Sequence, residues 1–197
     1  MPRQGLNAER IVEEAVRLVE EKGEPTFSMA ELAGRLRIQP SSLYNHIPSQ
    51  QALLVEVGLQ AIARMAEAEE RAVEGRQGDE AVYALAEAYR RFAKEHNGLY
   101  SVVMNLQRLH SPALERETRR VAEPILKVLD SYGLKESERA HLQRALRSLA
   151  HGFVCHEEAG WFSHFPVDRE ASFRFAIRCI VNELHRMGGG ESEDEAG

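Results

Sequence analysis

Apolar residues recur along this chain at intervals of three and four, and period-two alternation of Val, Ile and Thr is nearly absent, so the pattern is helical throughout. In "NAERIVEEAVRLVEEK" (7–22), Asn7 is placed to cap a helix whose Ile11, Ala15, Leu18 and Val19 share one face. Gly23 and Pro25 end it. Ser28 opens the next helix, Glu31 completes the spacing of a capping box, and Met29, Leu32 and Ala33 turn inward. Residues 36–39 read as a tight turn. Pro40 then suits a first helical turn, because the N–H it lacks would have no partner there. Leu43 and Ile47, four apart, bury one side of a short helix over 40–47, which Pro48 stops. Ser49 caps a longer helix to about residue 74.

After "GRQGDE" (75–80) the pattern predicts helices at about 80–96, 98–110, 112–131, 136–160 and 168–187. The breaks are "HNG" (96–98), "HSP" (110–112), "SYGLKES" (131–137) and "SHFPVD" (163–168), and Pro124 is expected to kink the helix it interrupts. The Gly-rich acidic end, "GGGESEDEAG" (188–197), is expected to be disordered. The organisation expected is all-α: a three-helix domain over 1–48, a second helical body over 49–187, and the tail.

Two Ser, a Tyr, an Asn and a His crowd the short helix "IQPSSLYNHI" (38–47), which carries no formal charge. A helix this short is unstable alone, because nucleation is costly. It persists by burying Ile38, Leu43 and Ile47 against Leu32, Leu36 and the first helix. Two short helices joined by a tight turn, with another packed across them, form a helix-turn-helix. Gln39, Pro40, Ser41, Tyr44 and Asn45 are left on the outward edge, where amides suit base edges and hydroxyls suit phosphates. The N-terminus of this helix would add free N–H groups and a partial positive charge.

Composition qualifies this picture. The 197 residues carry a net charge of −6, which excludes a chain coated in Lys and Arg for nonspecific nucleic-acid binding. Residues 1–50 balance six basic side chains against seven acidic ones, so any attraction for DNA rests on local placement. Arg35 and Arg37 would lie near the turn, with the Glu residues of the first helix facing away. Cys155 and Cys179 form no disulfide or zinc framework and fit a reducing cytoplasm. The sequence shows neither a signal peptide nor an apolar run long enough to span a bilayer. A Gly-rich phosphate loop and a GxSxG motif are both missing, and Glu157 and Glu158 are adjacent, so an enzyme is not expected.

At this point the chain resembles a family. "SMAELAGRLRIQPSSLYNHIPSQQALL" (28–54) is similar to the DNA-binding region of tetracycline-repressor-type (TetR family) regulators. Leu43, Tyr44, His46 and Ile47, the Pro-Ser turn and Ala52–Leu53–Leu54 carry the likeness, and Ala33 fits it. The resemblance implies a homodimer that binds a double-stranded operator, most simply a repressor released by an effector. It also implies that Ser28, Ser42, Tyr44 and His46 contact phosphate, while Gln39, Pro40, Ser41 and Asn45 face the major groove. Two positions depart from the family pattern. Arg37 stands where Gly is usual, so a positive φ there would strain it, although it could reach a phosphate. Gln50 stands where a phosphate-binding Lys is usual, which removes a charge-assisted contact.

The second body is then expected to bind an effector and to dimerise. Leu142, Leu146, Leu149 and Phe153, with Phe173, Ile177, Ile180 and Leu184, form two helical stripes suited to a four-helix seam with a partner; the other reading is intramolecular core. Tyr89, Phe92, Met104, His110, His151, Cys155 and Trp161 could line a pocket for a partly apolar small molecule. His151, Cys155 and His156 lack the further ligands that zinc needs, so no metal or cofactor is expected. The competing class is a helical small-molecule-binding protein whose DNA binding has weakened.

Overall fold

The computed structural model describes residues 5–106 and 112–188. Every regular element among them is helical. The chain divides into two compact units, one formed by residues 1–64 and 95–118, the other by 65–94 and 119–197.

In the first unit, α1 (Ala8–Lys22) begins where the Asn7 side chain accepts the Arg10 N–H at 2.9 Å and ends at Gly23 in the left-handed conformation (φ 68°). Its buried face holds Ile11, Val12, Ala15, Val16, Leu18 and Val19. Helix α2 (Met29–Leu36) is capped by Ser28, whose hydroxyl accepts the Glu31 N–H at 3.0 Å. The reciprocal half of the expected capping box is replaced by an ion pair, since the Glu31 carboxylate meets Lys22 at 2.9 Å.

Helix α3 is shorter than the pattern predicts. It spans Pro40–Leu43, not 40–47, and residues 44–46 form turns in which the N–H groups of His46 and Ile47 both donate to Leu43 O, at 3.0 and 2.9 Å. Pro48 has no N–H to donate back to Tyr44, so the segment cannot run on as helix through it. Of the expected anchors, Leu43 and Ile47 are buried, as is Leu32, whereas Ile38 and Leu36 are half-buried. Helix α4 (Gln50–Val73) starts where Ser49 accepts the Ala52 N–H at 3.0 Å. Helix α6 (Asn97–Leu106) packs on α1. The contact is close enough that a Cβ on Gly98 would lie 2.2 Å from Val19 O.

The second unit is built from the later part of α4, most of α5 (Gly78–Glu95), the greater part of α7 (Pro112–Leu129), α8 (Glu136–Glu158) and α9 (Arg169–Gly188). Helix α7 runs on through Pro124 without interruption. Leu142, Leu146, Phe173, Ile177 and Leu184 are buried within the single chain, where α8 packs on α9. Leu149, Phe153 and Ile180 are half-buried. The two stripes therefore supply the chain's own core at five of their eight positions. His110 and the tail beyond Gly188 lie outside the described residues.

Candidate functional site

The polar edge of the helix-turn-helix is built by what lies behind it. Leu43 at 0% exposure and Ile47 at 4% fix the segment, and Tyr44 between them is 53% exposed. Gln39, Pro40, Ser41, Asn45 and His46 are exposed with it, and Ser42 is half-buried. Ser28 is exposed too, and while it caps α2 its O–H remains able to donate. All nine residues singled out for DNA lie on this unit, and eight of them are open to solvent.

Arg37 does take the left-handed conformation, with φ 57° and ψ 45°, and is the one non-glycine to do so among the described residues. Its N–H donates to Gly34 O at 3.1 Å while Ile38 N–H reaches Ala33 O at 3.0 Å, a Schellman ending for α2. The side chain is exposed beside the turn. Arg35 behaves otherwise than expected. The Glu residues of α1 do not all face away: Glu14 and Glu21 each hold the Arg35 guanidinium at 2.7 Å. That double pairing pushes Arg35 further up and Glu21 down, so Arg35 is committed to α1. Nor does α3 supply much of a helix dipole, because it is one turn long, Pro40 has no N–H, and Ser42 N–H is taken by Gln39 O at 2.9 Å. Gln50 is also engaged within the chain, its amide donating to Phe27 O at 2.6 Å.

The likeness of this chain to known proteins is broad. It is 33% identical over 184 residues to the HTH-type transcriptional regulator YobS of Bacillus subtilis, covering 93% of this chain and 95% of that one. Residues 82–180 match the family described as Tetracyclin repressor-like, C-terminal domain. The chain belongs to the TetR family of helix-turn-helix transcriptional regulators. A second relative, the HTH-type transcriptional regulator Rv0681 of Mycobacterium tuberculosis, is 32% identical over 182 residues, covering 92% of this chain and 83% of its own. Among solved structures, the TetR family regulator PfmR of Thermus thermophilus superposes with a TM-score of 0.63 at 26% identity, covering 88% of this chain and 97% of that one. The all-helical fold read from periodicity is thus the fold of a TetR regulator.

Of the residues expected to line an effector pocket, Tyr89, Phe92, His151, Cys155 and Trp161 belong to the second unit and Met104 to the first. Tyr89 and Phe92 are buried in the second unit, whereas Met104 is exposed on α6 in the first. His151 and Cys155 lie one turn apart on α8, with Sγ 3.6 Å from Nε2, and Cys155 faces solvent. Trp161 is 65% exposed in the turn after α8.

Sequence reasoning passed over two buried charge centres in this unit. Arg90 donates to both oxygens of Glu157 at 2.9 Å, lies over the rings of Phe153 and Phe173, and also reaches Glu170; Lys94 adds a 3.2 Å contact to Glu157. These hydrogen bonds, led by Arg90, hold the Glu157 carboxyl below the usual range. The second centre is Glu69 on α4, with 0% exposure. Its Oε2 lies 3.3 Å from Arg147, its Oε1 has no partner, and burial pushes its pKa up to about 7. Each of these charges sits in the apolar register of its helix: Glu69 after Ile62, Met65 and Ala66; Arg90 after Val82 and Ala86; Glu157 after Ala150 and Val154. A charged residue in a core register was the available signal.

Proposed function

We propose that this TetR regulator is a ligand-responsive repressor that binds a palindromic operator as a homodimer in the cytoplasm. The observation that carries the reading is the segment at residues 38–47, pinned by buried Leu43 and Ile47 with its amide and hydroxyl side open. In this reading Gln39, Pro40, Ser41 and Asn45 enter the major groove, and Ser28, Ser42, Tyr44, His46 and Arg37 hold phosphates. Two such edges must be held at a fixed half-site spacing, which calls for a dimer. The dimer surface we assign is the outer flank of α8 and α9, where Leu149 and Ile180 are half-buried and Phe175 is 59% exposed. An effector shifts repression only if it binds the two operator-facing arrangements of the dimer with different affinity. No helix among the described residues is long and apolar enough to cross a membrane.

The test is a mobility-shift titration on the DNA upstream of the protein's own coding sequence, across a salt series. Tight, site-specific binding with a salt-dependent affinity is expected. Binding no stronger than to unrelated duplex sinks the reading in favour of a small-molecule-binding protein. Two substitutions refine it: Tyr44→Phe should weaken binding to all sequences about equally, whereas Asn45→Ala should alter sequence preference. Both side chains are exposed, so neither change should disturb folding.

A further inference from the structure

Glu69 is a carboxylate in the wrong place for stability. It is fully buried on α4, and its single polar contact is the 3.3 Å approach of Arg147 to Oε2. Arg147 is itself held elsewhere: it donates to Val121 O on α7 at 2.8 Å and lies 5.4 Å from the Tyr89 ring on α5. Four helices therefore meet around this guanidinium, and the carboxylate beneath it keeps one oxygen unpaired. A buried acceptor left without a donor costs free energy that an apolar residue would not. Arg147 also links the buried acid to the outside, since its side chain is 23% exposed beside a carboxylate that is not exposed at all. The flanking helix faces are apolar, with Met65 and Ala66 on α4, Phe92 on α5 and Ile125 on α7 all buried.

We infer that Glu69 is the recognition group of an effector site in the second unit, and that it takes a protonated amine carried on an apolar body, with Oε1 receiving the ammonium and Arg147 moving aside at the entrance. This rests on the reading of the chain as a ligand-responsive regulator. The amine supplies the missing donor and an opposite charge, and its apolar body replaces contacts of the core. Burial raises the pKa of this carboxyl more than Arg147 from α8 lowers it, and Glu70 on its own helix raises it further. From α5 and α7 the pair is faced by the Tyr89 ring and the Val121 carbonyl.

Octylamine, octanol and octanoate share one apolar body and differ in head group, and they are the probes. Binding to the full chain is read by thermal shift and calorimetry at about pH 8, without DNA. Octylamine should raise the melting temperature saturably, octanoate should not, and Glu69→Gln should weaken octylamine about tenfold or more. Arg147→Met, which removes the competing cation, should enlarge the octylamine shift and serves if the first variant folds poorly. The site is overturned if octylamine leaves the wild type unshifted, if octanoate matches it, or if neither substitution alters its effect. Release of bound operator by octylamine is scored separately. Glu69-dependent binding without release upholds the site and removes its role as a switch. If octylamine shows no Glu69-dependent binding while other compounds release operator equally from wild type and Glu69→Gln, the regulator stands and the site falls.

Discussion

Single side chains set both the cost and the reach of the DNA-facing edge. Arg37 occupies left-handed backbone in which an L-residue costs roughly 1–2 kcal/mol, whereas glycine there loses only its greater freedom in the unfolded chain. Arg37→Gly should therefore stabilise the protein by about 0.5–1 kcal/mol in urea unfolding and at the same time weaken operator binding. A variant that is both less stable and no weaker on DNA would show that Arg37 has neither the strain nor the phosphate role. Gln50 offers the converse case. Its amide tethers the start of α4 to Phe27 O, so it adds rigidity but no charge. Gln50→Lys should tighten operator binding and steepen the dependence of log affinity on log salt by about one unit. An unchanged slope would mean that this position does not approach a phosphate.

At the scale of elements, the seating of α6 on α1 depends on one missing side chain. A Cβ at Gly98 would meet the Val19 carbonyl oxygen at 2.2 Å and its carbon at 2.9 Å, and backbone atoms cannot swing away as a side chain can. Gly98→Ala should cost about 1–3 kcal/mol by denaturant unfolding, the range expected when a packed contact is overfilled. A change under about 0.5 kcal/mol would mean the two helices separate without penalty. Most elements were legible beforehand, because caps and periodicity are local: Asn7, Gly23, Ser28, Pro40 and Ser49 all act where their chemistry places them. What was not legible is non-local. Nothing near Arg35 in sequence shows that Glu14 and Glu21, on another helix, claim it. The same applies to the stripes on α8 and α9: periodicity shows which faces are apolar, but only packing shows that Leu142, Leu146, Phe173, Ile177 and Leu184 are covered by their own chain. The buried charges Glu69, Arg90 and Glu157 lie in core register, and apolar periodicity alone does not show which partner compensates them.

For the molecule as a whole, stability should be limited at both ends of the pH scale by different carboxyls. Glu157 is held below the usual range by Arg90 and Lys94, and Asp79 is held low by His185 and Tyr132. The stability these groups contribute is present above the ordinary carboxylate pKa and is lost as pH falls through their lowered values. Glu69 works in the opposite sense. Its folded pKa of about 7 lies above the ordinary value of 4.5, so the folded chain holds the proton more tightly than the unfolded chain, and stability declines as pH rises between those two values. Full burial makes this decline on the order of 3 kcal/mol at most. Unfolding free energies of wild type and Glu69→Gln, measured from about pH 5 to about pH 8, should therefore diverge: the wild type should lose stability relative to the variant across that interval, whatever the offset between them. Parallel profiles would mean that Glu69 titrates alike in the folded and unfolded chains, and would leave the buried carboxyl without the electrostatic cost on which an amine effector would act.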